Sequence, residues 1–185
     1  MNISTRFLWV VFAVILIVCP VSLNAQKYNK YSDSYNFRKG MEALDERDSK
    51  KAEESFAKEI EEHPENGYAY LYLSHLQFRN EEFGRALSSI DNALKYIPKK
   101  DKEYKGACHY KRAGIYEALE KYEEAIADFT MAISYNPEDD DSYWERAQIY
   151  YEQEKYDLAD ADYRAMQKLD ANSPLPYMGL GQRYK

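Results

Sequence analysis

The side chains able to do chemistry are few, and their spacing argues against most reactions. His63, His75 and His109 are far apart in the chain, and no H-E-x-x-H pair places two of them on one helix face to hold zinc. Cys108 and His109 are adjacent, but neighbouring helical residues point roughly 100° apart, so they make a poor thiolate–imidazole pair. No G-x-G-x-x-G, G-x-x-x-x-G-K-[ST] or G-x-S-x-G occurs, so neither a phosphate-cradling loop nor a nucleophile elbow is present. The acidic run Glu138, Asp139, Asp140, Asp141 lacks the alternation and the glycine of a calcium loop. It falls at a predicted helix start, where carboxylates suit exposed N–H groups and the positive end of the dipole. Glu123 and Glu124 belong on an exposed helix face. The expectation is a chain with no catalytic residue, no metal and no cofactor.

What remains is the set of elements and the surfaces they make. The 185 residues are 31% charged and 45% hydrophobic, a globular balance, and only seven are glycine, too few for a turn-rich all-β protein. A net charge of -7 disfavours a general attraction to nucleic acid. The first 25 residues read as a leader: Arg6, the apolar run FLWVVFAVILIV, then Leu23 and Ala25 at the spacing of a signal-peptidase site. That run is shorter than the roughly 20 residues a spanning helix needs. Export to the periplasm or cell envelope is therefore expected. The alternatives are an uncleaved anchor over residues 7–25 and lipidation at Cys19, whose LIVC context matches a lipobox loosely; either would be the chain's one tie to a membrane. Cleavage leaves Cys108 as the single cysteine, so packing alone must hold the exported chain together.

The remaining sequence repeats. Prolines at 64, 98 and 137 close similar segments, EESFAKEIEEHP, LSSIDNALKYIP and IADFTMAISYNP, at intervals of 34 and 39 residues. A fourth copy, DADYRAMQKLDANSP, ends at Pro174. A period near 34 indicates stacked helical hairpins, each unable to bury its apolar face alone. With proline as position 32, repeats run over about 33–66, 67–100, 106–139 and 140–173, after a short segment at 26–32. Position 8 is small in all four (Gly40, Ser74, Ala113, Ala147), and position 20 is always alanine (Ala52, Ala86, Ala125, Ala159). Position 24 is large: Phe56, Ile90, Phe129, Tyr163. Small residues at 8 and 20 let two helices approach, while rings at 11, 17 and 24 fill the flanks. Helices are predicted at 34–46, 50–62, 67–79, 83–96, 101–119, 122–135, 141–152 and 156–169. The five extra residues within KKDKEYK should lengthen the fifth helix by about 7 Å, as a solvated charged start or a projecting contact surface.

These registers resemble the tetratricopeptide repeat (TPR) family, in its exported bacterial form. The resemblance implies an all-α, right-handed superhelical solenoid over 33–185: four helix-turn-helix repeats plus a partial fifth at 174–185, where Tyr177, Leu180, Gly181 and Tyr184 take positions 4, 7, 8 and 11. Repeat one departs most, with Asn36 at position 4, Ala43 at 11 and Glu59 at 27, and reads as a water-facing cap.

The family's first helices line a concave face. Carried onto this chain, that face holds Phe37, Leu71, Tyr110 and Trp144 at position 5, Met41 and His75 at 9, and Phe78 and Tyr151 at 12. Tyr68 and Tyr72 stand at 2 and 6, with Arg38, Arg79 and Lys111 among them. Aromatic and arginine residues in a concavity anchor partner segments. The positions of the family's carboxylate clamp hold Phe37, Met41, Tyr72 and Ala107, with only Lys111 basic, so that clamp is not expected. The implied function is a non-catalytic scaffold in the bacterial cell envelope that binds a protein or peptide partner, not nucleic acid, with self-association through the apolar last helix open. The alternative is the sensory or regulatory N-terminal part of a larger envelope protein whose output domain lies beyond Lys185.

Overall fold

The structure, a computed structural model, describes residues 31–170. The leader, Cys19 and the half-repeat at 174–185 lie outside the described residues. Those described form eight α-helices and no strand: α1 (Tyr35–Asp45), α2 (Ser49–Glu62), α3 (Gly67–Arg79), α4 (Phe83–Tyr96), α5 (Lys102–Ala118), α6 (Tyr122–Tyr135), α7 (Asp140–Glu152) and α8 (Tyr156–Leu169). They make an all-α solenoid in which each helix packs on its neighbours in chain order, and α3 also touches α5.

The turn inside every hairpin is built the same way. Arg47, Glu81, Glu120 and Glu154 sit at φ between 58° and 61°, the left-handed region, although none is glycine. The next residue's N–H then reaches back to close the helix: Asp48 to the Ala43 carbonyl (2.8 Å), Glu82 to Gln77 (2.9 Å), Lys121 to Tyr116 (2.8 Å) and Lys155 to Tyr150 (2.8 Å). This backward bond satisfies a helix-end carbonyl and reverses the chain within three residues.

Small residues set the helix separation. Ala52, Ala86, Ala125 and Ala159 are buried, with Phe56, Ile90, Phe129 and Tyr163 one turn on. A Cβ on Gly40 would lie 2.6 Å from the Phe56 ring, so α1 approaches α2 only because position 8 lacks a side chain there.

Two sequence expectations need correction. Glu59 does not face water in a cap: it is fully buried, accepting hydrogen bonds from Asn66 Nδ2 (2.8 Å) and from the Ser34 hydroxyl. Asn36, the other polar departure of repeat one, is buried too. Polar partners supplied by the helix starts let a carboxylate occupy the site of an alanine. The second is the start of the lengthened α5, with 17 residues against 13 in α3 and α7, which is solvated only in part: Lys99, Lys100, Lys102 and Glu103 are exposed, but the residues among them are not. Asp101, its N-cap, is buried and accepts the Tyr68 hydroxyl (2.7 Å), Tyr104 packs edge-on to Tyr68, and the Lys105 ammonium donates to the Leu94 carbonyl. The insertion is spent on sealing repeat two.

Candidate partner-binding site

The inner face begins with the first helix of each repeat, and the described structure divides its predicted residues into two groups. Phe37, Tyr68 and Leu71 are corrected to core residues: each is buried, Phe37 edge-on to Phe56 and Tyr68 held by Asp101. Position 5 in repeats one and two is thus part of the core, Phe37 against the Phe56 ring at position 24 and Leu71 in the same apolar cluster. Tyr72 is half-buried and stacked on Phe56, with centroids 5.3 Å apart and planes 11° apart. Trp144 leans on Tyr163 (5.8 Å), Tyr151 on Tyr156 (5.3 Å), and Met41 packs, partly buried, against the core of repeats one and two. Arg38 is exposed on α1, near Tyr35, Lys39 and Glu42 in a shallow depression.

His75, Tyr110 and Lys111 come together. They line a pocket of about 340 Å³ with Phe78 and Arg79 from α3, Gly114 and Glu117 from α5, and Glu145 from α7, over a floor that includes Ile115 and Phe129. Gly114 opens it. A Cβ built at Gly114 meets nothing within 4 Å, so no packing requires glycine there, although mid-helix glycine costs about 1 kcal/mol relative to alanine. Sequence reading passed over Gly114, Glu117 and Glu145 because it followed rings. They stand at positions 9, 12 and 6, the same inward positions, and that register was the signal available.

The pocket's ionisable groups divide by type. His75, Arg79 and Lys111 gather on one side: burial, then Lys111 and Arg79, pull the His75 pKa down to about 4, and burial lowers that of Lys111. Glu117 and Glu145 gather on the other: burial raises both, with Glu145 adding to the shift of Glu117 and Asp141 to that of Glu145. Lys111, Glu117 and Glu145 make no hydrogen bond or ion pair among the described residues. Tyr110 divides the two sides, edge-on to Phe129, its hydroxyl pushed up to about 12 by burial and then by Glu145 and Asp141.

Chemistry elsewhere is structural. Cys108 is fully buried, its thiol pushed up to about 12 by burial, which removes the thiolate a nucleophile needs. His109 turns away from it to Asp128 (2.8 Å) and stacks on Tyr135. Asp139, Asp140 and Asp141 place carboxylate oxygens within 4.8 Å of one another at the start of α7. They act there through the helix dipole rather than by capping a backbone N–H, and Asp139 instead accepts the Ser142 hydroxyl. Two arginines absent from the sequence reading hold repeats three and four. Arg112 grips Asp128 with Nε and Nη2 (2.7 and 2.8 Å) and reaches Asp91 of repeat two (2.7 Å). Arg146 grips Asp162 the same way (2.9 and 2.6 Å) and reaches Thr130 of repeat three (2.7 Å). The signal was Arg at position 7 with Asp at position 23, in register twice.

Paired helices of this kind, stacked in one direction with an open inner face, define a helical-repeat interaction module. Tetratricopeptide repeat models match residues 37–101 and 140–173, and a TPR repeat model matches 113–154. The chain belongs to the tetratricopeptide repeat family. Among solved structures it is similar to a tetratricopeptide repeat protein from Parabacteroides merdae, at 24% identity and a TM-score of 0.69 over 78% of this chain and 56% of that one. It is also similar to YrrB, described as a TPR protein with an unusual peptide-binding site (16% identity, TM-score 0.67, 79% of this chain and 73% of that one). A third is the first TPR of Spaghetti (RPAP3) bound to the HSP90 peptide SRMEEVD, at 19% identity and a TM-score of 0.55, covering 63% and 88%. The chain spans little more than half the length of the Parabacteroides protein. No curated protein matches it in sequence.

Proposed function

We propose that this chain is a non-catalytic scaffold of the bacterial cell envelope that holds a partner peptide on the face made by α3, α5 and α7. The observation that carries the reading is the Gly114 pocket, apolar at its base and rimmed by charged residues that have no ion-pair partner among the described residues. Two structural neighbours, YrrB and the first TPR of RPAP3, are described with peptides or a peptide-binding site, which supports a peptide as the occupant. The envelope location rests on the leader at 1–25. The test is comparative recovery from the envelope fraction of the source cell, wild type against Gly114→Leu, with bound proteins quantified by mass spectrometry. One protein lost selectively from the variant, with unchanged helix content, is the expected result; equal recovery removes this face as the binding site. The intact mass of the recovered native chain tests export, a species beginning at Gln26 being the expected form.

A further inference from the structure

The Gly114 pocket carries more than a place to bind, because its two walls differ in sign. α3 contributes His75 and Arg79, with Lys111 beside them; α7 contributes Glu145, with Glu117 beside it; Tyr110, Phe78 and Phe129 lie between. At neutral pH the His75 ring is uncharged, so the positive side is the half-buried Lys111 with the exposed Arg79, and the negative side is the half-buried pair Glu117 and Glu145. Half-buried charges with no counter-ion among the described residues lack part of the water that would relieve them. An occupant supplying the opposite charge on each side offsets both costs, while one presenting the order reversed sets like charge against like. At the centre, the missing side chain of Gly114 leaves room over apolar atoms for one apolar residue.

We infer that the pocket selects a partner peptide by sequence and direction: an apolar side chain seats at Gly114, an acidic residue on one flank meets the α3 side, and a basic residue on the other flank meets the α7 side. This rests on the proposed peptide-binding reading and adds to it the charge order of the ligand. The basic residue would lie beside the Tyr110 ring, which favours a cation further.

The experiment pans a random-peptide phage library on the immobilised full chain, then measures synthetic versions of the enriched sequence, and of the same sequence with its charged residues exchanged, by fluorescence anisotropy. The proteins are the wild type, Gly114→Leu, and the double variant Lys111→Glu/Glu145→Lys. The expected result is an enriched apolar residue between an acid and a base, binding about tenfold or more tighter than the exchanged peptide. Gly114→Leu weakens both peptides at a melting temperature no lower than the wild type's, and the double variant prefers the exchanged peptide. If the double variant unfolds, the single Lys111→Met and Glu145→Gln variants each lose preference for one flank. Peptides weakened by Gly114→Leu but indifferent to charge order overturn this inference and leave the peptide-binding reading standing. No enrichment over the bare support, or binding that ignores Gly114→Leu, overturns both.

Discussion

At the scale of single residues, two glycines on first helices make opposite demands. Gly40 is required, since the Phe56 ring occupies the space a Cβ would take, at 2.6 Å; Gly114 is not, since nothing lies within 4 Å. Gly40→Ala should destabilise by about 1–3 kcal/mol through overpacking, and Gly114→Ala should stabilise by up to about 1 kcal/mol through helix propensity. Urea unfolding of the two variants checks both signs. His75 gives a second residue-scale prediction. Its folded pKa, about 4, lies below the ordinary value of about 6.5. Between those values the unfolded chain binds a proton that the native ring refuses, so stability falls as pH drops through this window and levels off below it. The half-buried ring keeps part of its hydration, which reduces the effect to about 1 kcal/mol. His75→Gln should flatten that part of the profile, seen as a smaller difference in urea midpoint between pH 7 and pH 4.5 than in the wild type.

At the scale of elements, the eight helices and the alanine seams between them were legible because period, proline and small residues agreed. All eight predicted helices occur, with bounds shifted by a residue or so. What the pattern hid was polar. Glu59 looked like a solvent residue because its partners, Ser34 and Asn66, lie 25 and 7 positions away, both outside α2. Phe37 and Tyr68 looked like ligand contacts because a ring at an inward position can turn either to the groove or to the seam, and neighbouring rings decide which. The same limit applied to Arg112 and Arg146, whose roles depend on atoms 16 residues along the chain. Removing Arg146 leaves Asp162 buried without its cation, so Arg146→Ala should cost about 3 kcal/mol. Arg85→Ala, at an exposed pair with Glu82, should cost under about 1 kcal/mol. Paired thermal melts distinguish a buried grip from a surface contact.

At the scale of the molecule, the core is unevenly distributed along the array. The largest apolar cluster joins repeats one and two and extends into α5 through Cys108 and Ile115, whereas repeats three and four hold smaller clusters. α3 buries residues on nearly every side, from Tyr68 to Gln77, and α7 buries only Ser142, Ala147 and Ile149. Native-state hydrogen exchange should therefore show slowest exchange in α3 and progressively faster exchange through α7 and α8, because in a linear array stability is a sum of local and nearest-neighbour terms. Uniform protection from α1 to α8 would show instead that the array opens as one unit.

Stacking in chain order, described above for the eight helices, also gives the molecule a mechanical character. Tension applied at its two ends is carried in series through every hairpin interface, so the array should lengthen like a spring and then yield hairpin by hairpin at its weakest joint. The Gly114 pocket draws its walls from three successive repeats, α3 of the second, α5 and α6 of the third and α7 of the fourth. A load that parts any of these repeats dismantles the pocket without breaking a single helix, so a peptide held there, as proposed, would be let go by stretch alone.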